Sequence, residues 1–551
     1  MESFSRTGFI IDIVTGKIFP GTVTIKNEHI YSITPANLEE CHQYILPGFI
    51  DAHVHIESSM LIPSEFARLA SVHGTVATVS DPHEIANVLG MQGVQYMIEN
   101  GKEVPFHFFF GAPSCVPATT FETAGAELSA EEISVLFENH NLHYLSEMMN
   151  YPGVIQNDAK VLEKLQVARR NNKPIDGHAP GIVGDDITKY IKAGITTDHE
   201  CFTFEEGLEK ISKGMHVLIR EGSAAKNYGA LHPLIPMHPS RIMFCSDDKH
   251  PDALVKGHIN ELVHISVNEH KYDMMDVLRI ATLNPIRHYN LNVGLLQPGD
   301  SADFIIVKDL ETFDVMETYV KGICIAKDGV TCIKSVQAST PNQFNTSFKE
   351  PKDFRIEAQK TTQIHIIHAE DGQLITQDRI DAPTISEGAY IADPKRDILK
   401  IAVVNRYRDS PPAVGFVGNF GLQCGAIASS VAHDSHNIVC VGCTDEDIAK
   451  AVNALIKCTG GIAIVDGPAE HVLPLPVAGI MSASDGFEVA SAYAAMSLKA
   501  KDLGSTLQAP FMTLSFMTLL VIPTIKMSDR GLFDNRTFSF ISLSAFEEKN
   551  V

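Results

Sequence analysis

Between residues 44 and 290 the sequence repeats one rhythm: a short apolar run, a polar loop, then a longer segment with helical spacing. The apolar runs are YILPGFIDAHVHI, GTVATVSDPH, VPFHFFFGAPS, LHYLSEMMN, KPIDGHAP, GITTDHECF, GMHVLIREG and IMFCSDDKHP. Helix-like segments lie between most of them, at residues 63–73, 130–139, 159–171 and 185–193. Eight β-then-α units over about 240 residues predict an α/β fold with a closed (β/α)8 TIM-like barrel. An open doubly wound sheet would bring a Gly-rich phosphate turn after its first strand, and none is there.

The flanks read differently. Residues 1–43 hold short strands such as GFIIDIV, and residues 291–346 hold GLLQPGDSADFIIVKD and TYVKGICIAKDG. Strands from the two flanks are expected to pair into one small β-domain around a barrel at 44–290. Residues 347–551 form an extra C-terminal α/β segment with its own strands and helices, among them ILKIAVVNRY and DEDIAKAVNALIKC. The apolar stretch 511–522 is too short to span a bilayer, which takes about 20 residues, so it reads as core. No leader-like segment opens the chain. The ten Cys are scattered and form no disulfide framework, which suits a reducing cytoplasm. With 44 Lys+Arg against 67 Asp+Glu the net charge is −23, a poor match for nucleic-acid polymers or anionic membranes. A small neutral ligand remains open.

Position within the rhythm carries the chemistry. The first run ends in His53-Val54-His55, and alternate residues of a strand share a face, so both imidazoles project together. The fourth run ends in Glu147, the fifth in His178, the sixth in His199 and the eighth in Asp247. In such barrels the catalytic groups sit at the C-terminal strand ends. Four His and two carboxylates converging there make a divalent-metal site, and a bridging carboxylate suggests two ions about 3.5–4 Å apart. These N and O donors permit zinc, manganese or iron. A lone HxH is weak, and His178 beside Gly177 reads by itself as a turn residue. The joint pattern over five strand ends carries the metal reading.

The same runs carry a resemblance. PGFIDAHVHIESS, Glu147, GHAP, DHE and SDD resemble the amidohydrolase superfamily, and ATLNPIRHY followed by GLLQPGDSADFIIV resembles its return to a small β-domain. SDPHEIANVLG, SEMMNYPGV, DGHAPG, SDDKHP, GAIASSVAHDSHNIV and LPLPVAGIMS narrow the likeness to the bacterial-type adenine deaminases, over nearly the whole chain. The resemblance implies His53, His55 and Asp247 on one metal and His178 and His199 on a second. Glu147 would bridge them, in place of the carboxylated Lys of many superfamily members. It implies manganese or iron as the load, two ions per subunit. The implied reaction is hydrolytic deamination of adenine to hypoxanthine and ammonia by a metal-activated hydroxide, in purine salvage. Another aminopurine, or a cyclic amide, is the alternative substrate within the superfamily. A non-catalytic assembly protein on a decayed barrel would have lost a ligand, and none is lost. A homo-oligomer, dimer or larger, is expected.

On that reading Asp247 takes a proton as C6 is attacked and passes it to the departing amine. Glu84 and Glu200 are both candidates for the acid at ring N1. Glu84 also fits a helix N-terminus favoured by the dipole. His83 orients substrate or supports a ligand, and Arg220, Glu221 and Ser223 are candidates for reading the purine edge. Two signals are discounted. The HxE at His368-Ala369-Glu370, with Cys440-Val441-Gly442-Cys443 downstream, lacks the Pro of the nucleobase zinc-deaminase signature. His433-Asp434-Ser435-His436 reads as a polar loop at an interface or lining the site entrance, in preference to a metal site.

Overall fold

The computed structural model of the protein describes residues 3–359 and 362–545. Eight short parallel strands form the central layer: β1 (Phe49–Val54), β2 (Thr75–Ser80), β3 (His107–Phe110), β4 (Leu145–Met148), β5 (Ile175–Gly177), β6 (Thr197–Asp198), β7 (His216–Arg220) and β8 (Ile242–Cys245). Ladders join β1–β2–β3, β4–β5 and β6–β7–β8. Backbone hydrogen bonds at the strand ends close the remaining seams. Ala112 N–H donates to Tyr144 O at 2.9 Å, Thr196 N–H to Ile175 O at 3.0 Å, and Asp247 N–H to His53 O at 2.9 Å. The ring is a TIM-type barrel. Every residue of β1, β2 and β8 is buried, as expected of parallel strands covered on both faces.

The first apolar run divides where the sequence reads it as one strand. Tyr44–Pro47 pairs outside the barrel, and only Phe49–Val54 enters it. The break falls at Gly48, where an added Cβ would lie 2.2 Å from a methyl of Val76 on β2. Backbone packed that closely against a neighbouring strand leaves room for no side chain. Tyr44–Pro47 sits in an eight-stranded sheet between Phe304–Val307 and Ser3–Asp12, so strands from both flanks of the barrel share one sheet.

The C-terminal segment has its own eight-stranded, mostly antiparallel sheet, with helix Asp445–Cys458 packed on it. It docks at the C-terminal end of the barrel: Ser482 N–H donates to Met60 O at 2.8 Å, and Arg68 joins Glu65 to Asp485. Residues 511–522, expected as core, are buried and begin in helix Pro510–Phe516. Among the described residues no helix is long and apolar enough to cross a membrane. All ten Cys are free thiols.

Candidate metal centre

Parallel strands bring their C-terminal ends to one mouth, and there the six expected ligands meet, all buried. His53 and His55 follow the alternation of β1, and their Nε2 atoms lie 3.2 Å apart. From the end of β8, Asp247 Oδ1 is 3.4 Å from His53 Nε2 and 3.1 Å from His55 Nε2. Asp247 has φ +52°, a left-handed conformation that Asp tolerates and that concentrates at functional sites. Glu147 lies at the centre. Its Oε2 is 3.0 Å from His178 Nδ1, 2.9 Å from His199 Nε2 and 3.8 Å from His53 Nε2, and its Oε1 is 3.5 Å from His55 Nε2.

The electrostatics favour a cation. Burial opposes charge on Glu147, yet His178 and His199 hold its carboxyl well below the usual range. Burial likewise opposes charge on Asp247, and Arg220 with His53 and His55 outweighs it. His178 is pulled down by burial and up by Glu200 and Glu147, reaching about 9. Carboxylates that draw a proton onto buried imidazoles will also draw a metal ion. Two Nε2 atoms 3.2 Å apart, facing a carboxylate from each side, are poorly satisfied by protons alone. An N4O2 donor set of this kind fits a divalent metal.

Buried side chains behind the ligands fix their loops. Asp51 accepts from the Ser246 backbone N–H at 3.0 Å and pairs with His258 Nε2 at 2.8 Å, joining the ends of β1 and β8. Lys210, on helix Phe204–Ser212, donates to Asp198 Oδ2 at 2.7 Å, Glu206 Oε1 at 2.6 Å and Ala179 O at 2.7 Å. Asp198 precedes His199 and Ala179 follows His178, so one ammonium fastens the loops that carry both histidines. Sequence reasoning missed Lys210. Its signal was the Glu206/Lys210 i,i+4 spacing, which usually marks a solvent-exposed pair.

The remaining expected residues divide. His83 Nδ1 is 3.2 Å from Asp81 and 3.5 Å from Glu147 Oε1, at the edge of the ligand cluster. Glu200 is held bidentately by Arg220, at 2.5 and 3.2 Å, and Arg220 also bonds Asp247 Oδ2. With Nε on Ala225 O at 3.0 Å, that guanidinium is committed to carboxylates and backbone, not free to read a base. Glu221 does not reach the mouth. It pairs with Lys226 at 3.2 Å and lines an outer groove with Asn260. Ser223 Oγ accepts from His250 N–H at 2.9 Å, a loop-fixing bond. Both residues follow the end of β7 in a loop, where strand alternation no longer sets side-chain direction.

Glu84 stands in the first turn of helix His83–Leu89 and takes its partners from the C-terminal domain. His433 Nδ1 lies 2.7 Å from Oε1 and His436 Nε2 3.0 Å from Oε2. Burial opposes the Glu84 charge, and His433 then His436 overcome it, holding the carboxyl well below its usual range. Burial pulls His433 down, and Glu84 lifts it to about 9. The polar loop of the sequence reading is thus an interface that builds the site, which His433, Asp434, Phe516 and Leu519 roof from above. His368 lies on strand Ile364–Ala369 and Cys440 on strand Ile438–Gly442 within the C-terminal sheet, where they serve as ordinary sheet residues.

Comparison with known proteins adds two domain matches. The amidohydrolase family profile matches residues 44–324, and the adenine deaminase C-terminal domain profile matches residues 373–539. A protein from Sulfurovum sp. (strain NBC37-1), described as adenine deaminase, is 56% identical over 532 residues, covering 96% of this chain and 98% of its own. One of the same description from Salinibacter ruber is 53% identical, with 98% of each chain covered. Another from Methanosarcina barkeri is 49% identical, over 98% of this chain and 99% of its own.

Proposed function

Since the chain belongs to the adenine deaminase branch of the amidohydrolase family, we infer that it hydrolyses adenine to hypoxanthine and ammonia. The observation that carries this is near-full-length identity above one half to a protein of that description, on a chain whose six expected ligands converge at one mouth. Two divalent ions, manganese or iron, would be held by His53, His55 and Asp247 on one side and His178 and His199 on the other, with Glu147 shared. When bound they supply Lewis acidity and a water acidified toward neutral pH.

The chain's own groups then move the protons. Asp247, kept ionised by Arg220, accepts one proton of the attacking water and later delivers it to the 6-amino nitrogen as the C6–N bond breaks. Electron density arriving at N1 is met by a proton from the Glu84–His433 couple. The hydroxyl proton lost as C6 becomes a carbonyl restores that couple. Glu84 is the better N1 partner because Glu200 is paired with a guanidinium, which gives up no proton near neutral pH, whereas Glu84 is paired with His433, an imidazole that carries a transferable one. Arg220 and Glu200 act as a fixed charge pair beside Asp247. The neutral substrate needs no basic funnel, in keeping with the −23 charge. We further propose a cytoplasmic homo-oligomer. The test is ammonia release from adenine, guanine, cytosine and a dihydropyrimidine by manganese-loaded protein. Release from adenine at least tenfold faster than from the others is expected, and none from adenine would overturn the assignment.

A further inference from the structure

The metal centre is open to the C-terminal domain, and two distant segments of that domain cover it. Leu374 lies in the loop between strands Ile364–Ala369 and Thr376–Asp381, and Phe516 ends helix Pro510–Phe516. Both line the cavity above Glu147 and His199. The Phe516 ring stacks on His433, centroids 4.8 Å apart and planes 18° from parallel. Leu374, Phe516 and Leu519 give an otherwise charged cavity one apolar wall, which suits the face of a flat heteroaromatic base.

Between the two segments lies Lys526, on strand Ile525–Ser528. Its Nζ donates to Leu374 O at 2.5 Å and to Phe516 O at 3.0 Å. The same strand is bonded to both segments by Met527 N–H to Met517 O at 2.9 Å and Thr376 Oγ1 to Ile525 O at 2.7 Å. Lys526 is fully buried, and among the described residues no carboxylate pairs with it. Burial pushes its ammonium down to about 7. A buried cation with only carbonyl partners is an expensive way to fill space, because an apolar chain of the same length would avoid the desolvation. What the amine adds over such a chain is the pair of donors, and both acceptors belong to residues over the metal mouth.

We propose that Lys526 is a positioning residue for the purine pocket, tying Leu374 and Phe516 into one fixed apolar roof over the base. The proposal rests on the adenine-deaminating reading of the site. Without the amine the two segments keep their bonds to the strand at Met517 and Thr376, but Leu374 and Phe516 lose the direct link between them, and the wall against the base loosens while the metal ligands and proton-moving groups stay in place.

The experiment compares steady-state adenine kinetics and metal content of the full-length manganese-loaded protein with those of Lys526→Met, Lys526→Gln and Lys400→Met. Lys400 is a control, buried in the same domain but bonded to Phe354 O and Asp445, which do not line the cavity. In Lys526→Met, KM should rise about tenfold, the scale of two modest hydrogen bonds lost, with kcat within about threefold and metal content unchanged. Lys526→Gln keeps an N–H donor and should show a smaller rise, and Lys400→Met should leave KM unchanged. An unchanged KM in Lys526→Met, or an equal rise in Lys400→Met, overturns the proposal. If Lys526→Met does not fold, the KM of Lys526→Gln decides, and a wild-type value there overturns it. Absence of adenine turnover in the wild type would instead sink the underlying activity.

Discussion

Replacing Lys210 with methionine removes the cation that fastens the loops of His178 and His199. Asp198 and Glu206 would stay buried, each still accepting backbone N–H bonds, from Ala179 at 2.9 Å and from Gly181 at 2.9 Å, but without a counter-charge. Burial alone would draw the Lys210 ammonium down and lift the Asp198 carboxyl. Each shifts the other way because of its partner, so the pair is mutually stabilised. Removing one member of a buried pair costs about 3–5 kcal/mol. At about 2–4 °C per kcal/mol for a domain of this size, calorimetry should find the barrel transition lowered by about 6–20 °C. The loosened loops should weaken metal binding at the His178/His199 side by about 10–100-fold in a competition titration against a chelator. Lys210→Met/Asp198→Asn should lose less than the sum of the single variants, by at least about 1 kcal/mol. A melting temperature within about 2 °C of wild type together with unchanged metal affinity would refute the proposed coupling between this pair and the ligands.

Asp247→Asn should lower kcat by about 10²–10⁴-fold with the fold intact by circular dichroism, and an unchanged kcat would refute its proton-transfer role. His53→Ala should lower metal content by elemental analysis, and full occupancy would show the ligand assignment to be wrong. Lys526 has a folded-state value of about 7, below the ordinary 10.5, so between these the unfolded chain binds more protons and stability rises with pH. The penalty is complete below pH 7, corresponds to about 5 kcal/mol, and fades toward pH 10.5. Denaturant unfolding should therefore show Lys526→Met gaining stability over wild type at pH 6 and losing that advantage by pH 10. A pH-independent difference would contradict it.

Much of this site was legible in the chain because the barrel converts sequence position into spatial position. A ligand-type side chain at the end of a β-run must lie at the mouth, so His53, His55, Glu147, His178, His199 and Asp247 emerge from rhythm alone. The rule fails once the chain leaves the strand. Glu221 and Ser223 follow β7 in the sequence, but the loop directs one to Lys226 and the other to the His250 backbone. It is also silent about partners from other elements. Nothing near Glu84 in the sequence announces His433 and His436, some 350 residues away, and Lys526 has no local signal because both its acceptors are backbone carbonyls. Gly48 shows the same limit at the level of the fold. A continuous apolar run reads as one strand, and only close packing against Val76 reveals that it serves two sheets.

Barrel and C-terminal domain together are proposed to make a metal-dependent site that deaminates adenine. This is tested most directly by following adenine and hypoxanthine in ultraviolet absorbance with the chelator-stripped protein, before and after manganese is added back. The stripped protein should convert no adenine, and two equivalents of metal should restore full activity with one ammonia per hypoxanthine. Equal turnover without metal, or none with it, would rule out a metal-dependent adenine deaminase.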